Sequence, residues 1–393
     1  MSAVVATWTV AAPAATADDM RSHQWYLDAM KADEMWKVAT GKGITVAVID
    51  TGVDGSLPEL RGKVLPGRNV DTGGPGRIVD DSDRHGTNMA LAIAGTGADG
   101  GVKGIAPGAT ILPVKVGDAW QSGSKTKFDG IRYAVDNGAR VINISLGGDA
   151  NAERTAEWRE TVDYALKKGA LIFAGSGNEG IGDPMYPASI PGVIAVGALD
   201  PNGKVAKFSN YGSHLALAAP GVKIPGRCLT DKNEDCFGDG TSQATAIASG
   251  TAALIWSAHP DWTGNQVLRV MMETAGHDGP VPSKYIGYGT VRPAQVLLEG
   301  KGNPGDPDVN PLLAARGVST TPTSKASEPS QTSPSPENTG ASGSDQAKDN
   351  GRAAESDEGG FPLWAIAASA VAVVAVIGLV VAAGVRRRAS TDA

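Results

Sequence analysis

Four residues of this 393-residue chain have types and settings that together could cleave an acyl bond: Asp50, His85, Ser242 and Asn178. A serine hydroxyl is a poor nucleophile until a neighbouring base accepts its proton. Neutral imidazole suits that task near pH 7. A carboxylate then fixes the imidazole tautomer and stabilises the imidazolium. The oxyanion that develops on the attacked carbonyl needs hydrogen-bond donors. Asp50 follows the apolar run Ile44–Ile49, in Asp50-Thr51-Gly52-Val53-Asp54, and His85 opens the small-residue segment His85-Gly86-Thr87-Asn88-Met89-Ala90. Ser242 lies near the start of Gly240-Thr241-Ser242-Gln243-Ala244-Thr245-Ala246, and Asn178 sits in Gly175-Ser176-Gly177-Asn178-Glu179-Gly180. A serine in the first turn of a helix faces the positive end of its dipole and brings a backbone N–H. Each residue alone has a plainer reading, as a turn residue, a structural histidine or a helix start; their combination carries the chemistry. His23, His214, His259 and His277 read as structural, and Asp54 and Asp83 as solvated or loop-capping.

Positioning such a set takes a particular scaffold. The apolar runs 44–49, 141–144, 171–174 and 193–196 read as buried strands. Segments 86–94, 127–137, 153–168 and 241–258 read as helices between them. Continuous β-branched strands separated by helices predict an α/β domain, its central sheet mostly parallel and covered on both faces. Sites in such sheets form outside the carboxyl ends of strands, and Asp50 and the 175–180 segment stand at two such ends.

Three blocks, Val46-Ala-Val-Ile-Asp50-Thr-Gly-Val53, His85-Gly-Thr87 and Gly240-Thr-Ser242, resemble the signature segments of the subtilisin-like serine proteases, in the Asp, His, Ser order of that family. The resemblance covers about residues 22–300 and extends to Gly104-Ile-Ala-Pro107, Ser145-Leu146-Gly147 and Gly287-Tyr-Gly289. It implies a subtilisin-like fold and endopeptidase activity through an acyl-enzyme, with Asp50, His85 and Ser242 as triad and Asn178 in the oxyanion hole. It also implies that Ser145, Leu146, Gly147, Gly175, Ser176 and Gly177 line the pocket for the residue before the scissile bond. Four positions depart from the family pattern: Asn88 stands for a common His, Leu91 for Gly, Gln243 for an apolar residue and Ala246 for Pro. None removes a catalytic group. The segment Gln24-Trp25-Tyr-Leu27 … Trp36, the Pro-rich linker and the apolar C-terminal segment resemble the mycosins, subtilases associated with type VII secretion in actinobacteria. That narrower likeness implies a short N-terminal extension in place of a folded pro-domain. It further implies processing of secreted polypeptides at the outer face of the membrane, in association with a secretion complex. The alternative is a structural subunit that stabilises such a complex, with proteolysis dispensable. The chemistry requires no cofactor; subtilases often bind structural calcium, but no EF-hand-like loop is present and no site is assigned.

Composition supports a secreted and anchored arrangement. Residues 1–17 are mostly apolar and end in Ala15-Thr16-Ala17, resembling the end of a secretory signal, although the first cationic residue is Arg21. Residues 18–300 form the catalytic domain with its short extension. Residues 301–360 are dominated by Pro, Ser, Thr, Gly, Asn and Asp, and read as a flexible linker. Its root-mean-square span as a coil would be roughly 45 Å. Phe361 to Val385 are 25 residues without a charge. As a helix they would reach about 37 Å, enough to cross a hydrocarbon core of about 30 Å. Arg386-Arg387-Arg388 follows, and Glu355, Asp357 and Glu358 precede, so 386–393 reads as a cytoplasmic tail and the catalytic domain as extracellular. The net charge of −7, with no basic stripe, argues against a nucleic-acid partner. The two cysteines, Cys228 and Cys236, offer no metal-ligand spacing. In an extracellular domain they are expected to pair, closing a loop of about nine residues worth about 2.6 kcal/mol by chain entropy; the alternative is two free buried thiols. Gly95-Thr-Gly97-Ala-Asp-Gly100 fits a dinucleotide-loop pattern but follows a helix, not a strand, which removes its context. Asn143-Ile144-Ser145 fits a glycosylation site but lies in an apolar run, so burial is expected.

Overall fold

The structure, a computed structural model, describes residues 20–74, 84–116, 126–149, 154–228 and 235–318. The expected leader (1–17), membrane span (361–385) and cytoplasmic tail (386–393), and the linker from 319 onward, lie outside the described residues. Among those described, no helix is long and apolar enough to cross a membrane.

In chain order the strands are β1 (Thr45–Asp50), β2 (Arg68–Asn69), β3 (Thr110–Lys115), β4 (Val141–Ile144), β5 (Gly148–Asp149), β6 (Leu171–Gly175), β7 (Met185–Tyr186), β8 (Ile194–Leu199), β9 (Leu215–Pro220), β10 (Ile224–Arg227) and β11 (Asp235–Gly238). The helices are α1 (Met20–His23), α2 (Trp25–Ala29), α3 (Ala32–Met35), α4 (His85–Ala94), α5 (Thr126–Asp136), α6 (Thr155–Lys167), α7 (Thr241–Ala258), α8 (Gly264–Glu273), α9 (Pro293–Leu297) and α10 (Pro311–Ala315). Seven strands form one sheet in the order β2-β3-β1-β4-β6-β8-β9. Every neighbouring pair in it is parallel. β5 with β7 and β10 with β11 make two small antiparallel ribbons.

Side chains of a strand alternate between faces, and that alternation sorts the core. Val46 and Val48 of β1, with Leu171 and Phe173 of β6, join the apolar cluster that holds α4 and α7. Ala47 and Ile49, with Ile172 and Ala174, join the opposite cluster, beneath α5 and α6. There Phe128 meets Trp158 edge-on, ring centroids 4.8 Å apart. Helix α7 is buried along nearly its whole length, and Ala244, Ala246, Ala248, Ala252 and Ala253 supply the small side chains that allow it. The doubly covered sheet and the four expected helices are therefore as the sequence suggests, within a residue or two.

Three sheet strands lie outside the expected runs: the two-residue edge strand β2, and β3 and β9. β3 is interrupted in sequence by Pro113. Ile111 turns its N–H to the Lys63 carbonyl, on the side of the short edge strand β2. Two residues on, Pro113 faces the same side, so its missing N–H removes no bond to β1. β9 reads Leu-Ala-Leu-Ala-Ala-Pro, a run without β-branched residues. Its six residues are all buried, and Tyr288 and Val291 donate to its outer edge at Ala216 and Ala218.

The margins of the domain are strapped down by polar side chains. The Gln24 amide brackets Lys103, donating to its carbonyl (2.7 Å) and accepting from its N–H (3.0 Å). Trp25 donates to the Val222 carbonyl and Trp36 to the Ile105 carbonyl. At the other end residues 301–318, expected as the start of the linker, pack on the domain. Gln266 and Arg269 of α8 donate to the carbonyls of Gly305 and Val309. Asn310 caps α10, Leu312 is buried, and Arg316 donates to the His214 carbonyl at 2.6 Å. Composition sees a Gly/Pro/Asp-rich stretch at 302–308 and misses that α8 supplies its hydrogen bonds. Between these margins a buried ion pair joins Glu59 to Arg227 at 2.6 Å, linking the turn after β1 to the β10–β11 ribbon. In that ribbon the sulfurs of Cys228 and Cys236 meet at bonding distance, their Cα atoms 5.2 Å apart. Asn143 is fully buried, and the 95–100 segment follows α4 and precedes no helix that could hold a phosphate.

Candidate active site

Asp50 closes β1 at the carboxyl edge of the sheet and is fully buried. Its Oδ1 meets His85 Nδ1 at 2.7 Å, while the imidazole remains 29% exposed. Thr51 N–H donates to the same carboxylate oxygen at 2.8 Å. The loop after β1 and the first turn of α4 are knitted together. Gly86 N–H donates to Thr51 Oγ1, and Asp54 N–H to Thr87 Oγ1. Position 86 must be glycine: a Cβ there would stand 2.2 Å from the Gly52 carbonyl oxygen and 2.9 Å from Asp50 Cβ. Arg84, just before His85, holds φ 55°, a left-handed conformation that costs a non-glycine residue about 1–2 kcal/mol. That turn delivers His85 onto the carboxylate. With Nδ1–H donated to Asp50, the lone pair lies on Nε2, the tautomer a general base needs.

Ser242 is the second residue of α7 and is mostly buried. Its hydroxyl donates to the Ser145 carbonyl at 3.0 Å, and Ser145 Oγ donates to the Ser242 carbonyl at 3.1 Å. Asn143 donates to Ser145 Oγ and accepts from Ser249 Oγ, so a buried polar chain ties the end of β4 to α7. Asn88 and Met89 of α4 and Gln243 of α7 line one cavity of about 90 Å³ together with the β10–β11 ribbon. The first turns of the histidine and serine helices are therefore neighbours. Gln243 Oε1 is buried there without a hydrogen-bond partner.

Asn178 follows β6 and is exposed. Its side-chain oxygen accepts from Thr241 N–H at 2.8 Å and Thr241 Oγ1 at 3.0 Å. That fixes the amide, leaving its NH₂ as the group to donate beside Ser242. Thr241 was not singled out by sequence; the signal available was its place between Gly240 and Ser242. Of the six pocket residues expected by resemblance, Ser145, Leu146 and Gly147 follow β4, Gly175 ends the adjacent strand β6, and Ser176 and Gly177 follow it. Ser176 is fully buried: its hydroxyl donates to the Asn210 carbonyl and its N–H to the Val196 carbonyl, so it supports the loop from beneath. Met185 was missed: its Cε would lie 3.5 Å from a Cβ on Gly147. The other histidines stand elsewhere. His23 packs on Phe237, His259 stacks on Trp262, and His277 pairs with the Gly279 carbonyl. Burial and the nearby Arg316 lower the pKa of His214. Among the described residues no group of three or more His, Cys, Asp or Glu side chains is placed to hold a metal ion.

The model of the subtilase family matches residues 41–289. The chain is 39% identical over 240 residues to the major intracellular serine protease of Bacillus subtilis, covering 58% of this chain and 73% of that one. The crystal structure of MycP1 from Mycobacterium smegmatis superposes with a TM-score of 0.64 at 28% identity, covering 72% of this chain and 86% of that one. The structure of MycP3 protease from the type VII (ESX-3) secretion system gives a TM-score of 0.59 at 29% identity, over 70% and 87%.

Proposed function

Because this chain belongs to the subtilase family and is a serine endopeptidase, we propose that it processes secreted polypeptides at the outer face of the membrane, beside a type VII secretion complex. In this reading Ser242 Oγ attacks the scissile carbonyl while His85 Nε2 takes its proton. Asp50 holds the imidazolium, and His85 then returns the proton to the leaving amine. The acyl-enzyme is cleared by water activated in the same way. The Asn178 NH₂ and the Ser242 N–H receive the oxyanion. For this the Ser242 hydroxyl must leave the Ser145 carbonyl and turn to His85, a rearrangement expected as substrate enters. Residues 145–147, with Gly175 and Gly177, hold the substrate strand, and Ser176 supports them from within. No cofactor takes part in the chemistry.

The observation that carries the catalytic reading is the 2.7 Å contact between His85 Nδ1 and the fully buried Asp50 carboxylate. Support for the setting is of a different kind. The charge-free segment 361–385, flanked by carboxylates before and arginines after, favours an anchor with the catalytic domain outside. In that oxidising setting Cys228 and Cys236 form a disulfide. The likeness to MycP1 and MycP3 favours the secretion role.

Ser242→Ala in the full chain tests both parts. Labelling by a serine-directed phosphonylating probe and peptide cleavage are expected to vanish while the protein still reaches the membrane. Wild-type protein that neither labels nor cleaves would overturn the endopeptidase assignment. Secretion that continues while processing stops would assign the complex a second, scaffolding use of this chain.

A further inference from the structure

Asn210, on the connection between β8 and β9, is fully buried yet spends all its polar groups on one loop, residues 176–181. Its Oδ1 accepts from Glu179 N–H (3.0 Å) and Ile181 N–H (3.1 Å). Its Nδ2 donates to Glu179 Oε2 at 2.7 Å. Its backbone N–H donates to the Gly177 carbonyl at 3.0 Å, and its carbonyl accepts from Ser176 Oγ at 3.0 Å. Glu179 Oε2 in turn accepts from Asn178 N–H at 2.9 Å. The Asn210 amide lies so close to the loop that a Cβ on Gly177, itself at φ 113°, would stand 2.2 Å from Nδ2.

We propose that Asn210 is the positioning residue of the oxyanion donor, acting through Glu179 on Asn178. The proposal rests on the reading of Asn178 as that donor. A carboxylate one residue from an oxyanion site would oppose the developing charge if left free. Here Asn210 Nδ2 and Asn178 N–H converge on one oxygen of Glu179 and hold it still. Asn178 is thereby gripped twice: at its backbone by Glu179, and at its side-chain oxygen by Thr241. Its NH₂ is the part left to donate. Only a neutral amide fits position 210. Its oxygen must accept twice while its nitrogen donates to a carboxylate. An ionised aspartate would place two like charges at hydrogen-bond distance, which cannot both persist.

The test uses the full-length protein and a peptide p-nitroanilide that the wild type cleaves. Asn210→Asp is expected to lower kcat by about 10–100-fold at pH 8, the cost of a misplaced catalytic group, with KM within about threefold. The ratio of variant to wild-type kcat should rise as the pH falls, because a shared proton rebuilds the link between residues 210 and 179. Adding Glu179→Gln removes the like-charge repulsion and lets the new amide nitrogen donate to the carboxylate at position 210, but it leaves Asn178 N–H without its acceptor, so kcat at pH 8 should recover only in part. That double variant also keeps the test open should Asn210→Asp fold poorly. In an Asn178→Ala background, itself expected to cost about 10²–10³-fold, Asn210→Asp should cost less than about twofold more. Equal losses in both backgrounds, a pH-independent ratio or full recovery with Glu179→Gln would each overturn the proposal. An Asn178→Ala enzyme with wild-type kcat would remove the donor and the proposal together, while Ser242→Ala would still be inactive.

Discussion

The proposed catalytic centre and the margins of this domain are held by opposite means. At the centre, functional atoms are gripped by short-range polar contacts at strand ends and helix starts: Asp50 on His85, Thr241 on Asn178, Ser145 on Ser242. At the margins, long side chains reach across to main-chain carbonyls: Trp25 to Val222, Trp36 to Ile105, Arg269 to Val309 and Arg316 to His214. The first kind of contact sets the direction in which one atom points. The second kind keeps a segment without its own hydrophobic core from leaving the surface. Substitutions at the centre should therefore move rate with little change in stability, and those at the margins should do the reverse.

The largest expected effect breaks the central grip alone. Asp50→Asn keeps the shape of the side chain but offers His85 an amide in place of a carboxylate. The favoured tautomer is lost, and kcat should fall by about 10⁴-fold. The thermal midpoint should shift little, because a buried charge is exchanged for a neutral isostere. Calorimetry and peptide hydrolysis on one preparation decide the matter: a collapsed midpoint with normal turnover per folded molecule would erase the contrast.

The Glu59–Arg227 pair lies between the two regimes and sharpens the contrast. Glu59 has no exposed surface and Arg227 retains 10%. Glu59 Oε1 also accepts from Arg227 Nε and from Val102 N–H. Arg227→Met would leave a buried carboxylate without its counter-charge, at a cost of about 3–5 kcal/mol. Urea unfolding should report that loss in its midpoint, and turnover by the folded fraction at 25 °C should stay within about twofold. Replacing both residues by methionine should recover much of the stability, since the uncompensated charge is gone. A double variant as unstable as the single one would mean that the pair acts through packing and not through charge.

The same contrast explains what could be read from the chain directly. Asp50, His85 and Ser242 stand in contiguous blocks whose local pattern, apolar strand then polar turn or glycine then small-residue helix, is written within about ten residues. Such blocks are legible because chemistry and local geometry coincide. Pro113 hid β3 because only pairing shows that its missing N–H faces an edge. β9 was hidden because its burial, and not its propensity, makes Leu-Ala-Leu-Ala-Ala a strand. Asn210 and Thr241 escaped for a related reason: their partners at 177–181 and 178 are 29–33 and 63 residues away. Residues 303–318 looked like linker because the groups that order them belong to α8 and the β8–β9 connection.

The smallest expected effect concerns that last margin. His214 sits where its carbonyl receives Arg316, and its ring Nε2 is buried without a hydrogen-bond partner. Burial first, and the Arg316 charge second, lower its pKa below the ordinary 6.5. The unfolded chain therefore binds a proton more readily than the folded one. Stability is fully present above about pH 6.5 and falls as the pH drops from there through the lowered folded value. His214→Gln should flatten this acid limb of the thermal midpoint, and Arg316→Gln should flatten it in part while removing one strap. Each kcal/mol involved would move the midpoint by only about 2–4 °C in a domain of this size, so paired scans at pH 7.5 and 5.0 are needed. Turnover per folded molecule should follow the same pH profile in His214→Gln as in the wild type. A change in that profile would mean that this margin reaches the catalytic centre after all, and the division between rate-setting and stability-setting contacts would fail at this point.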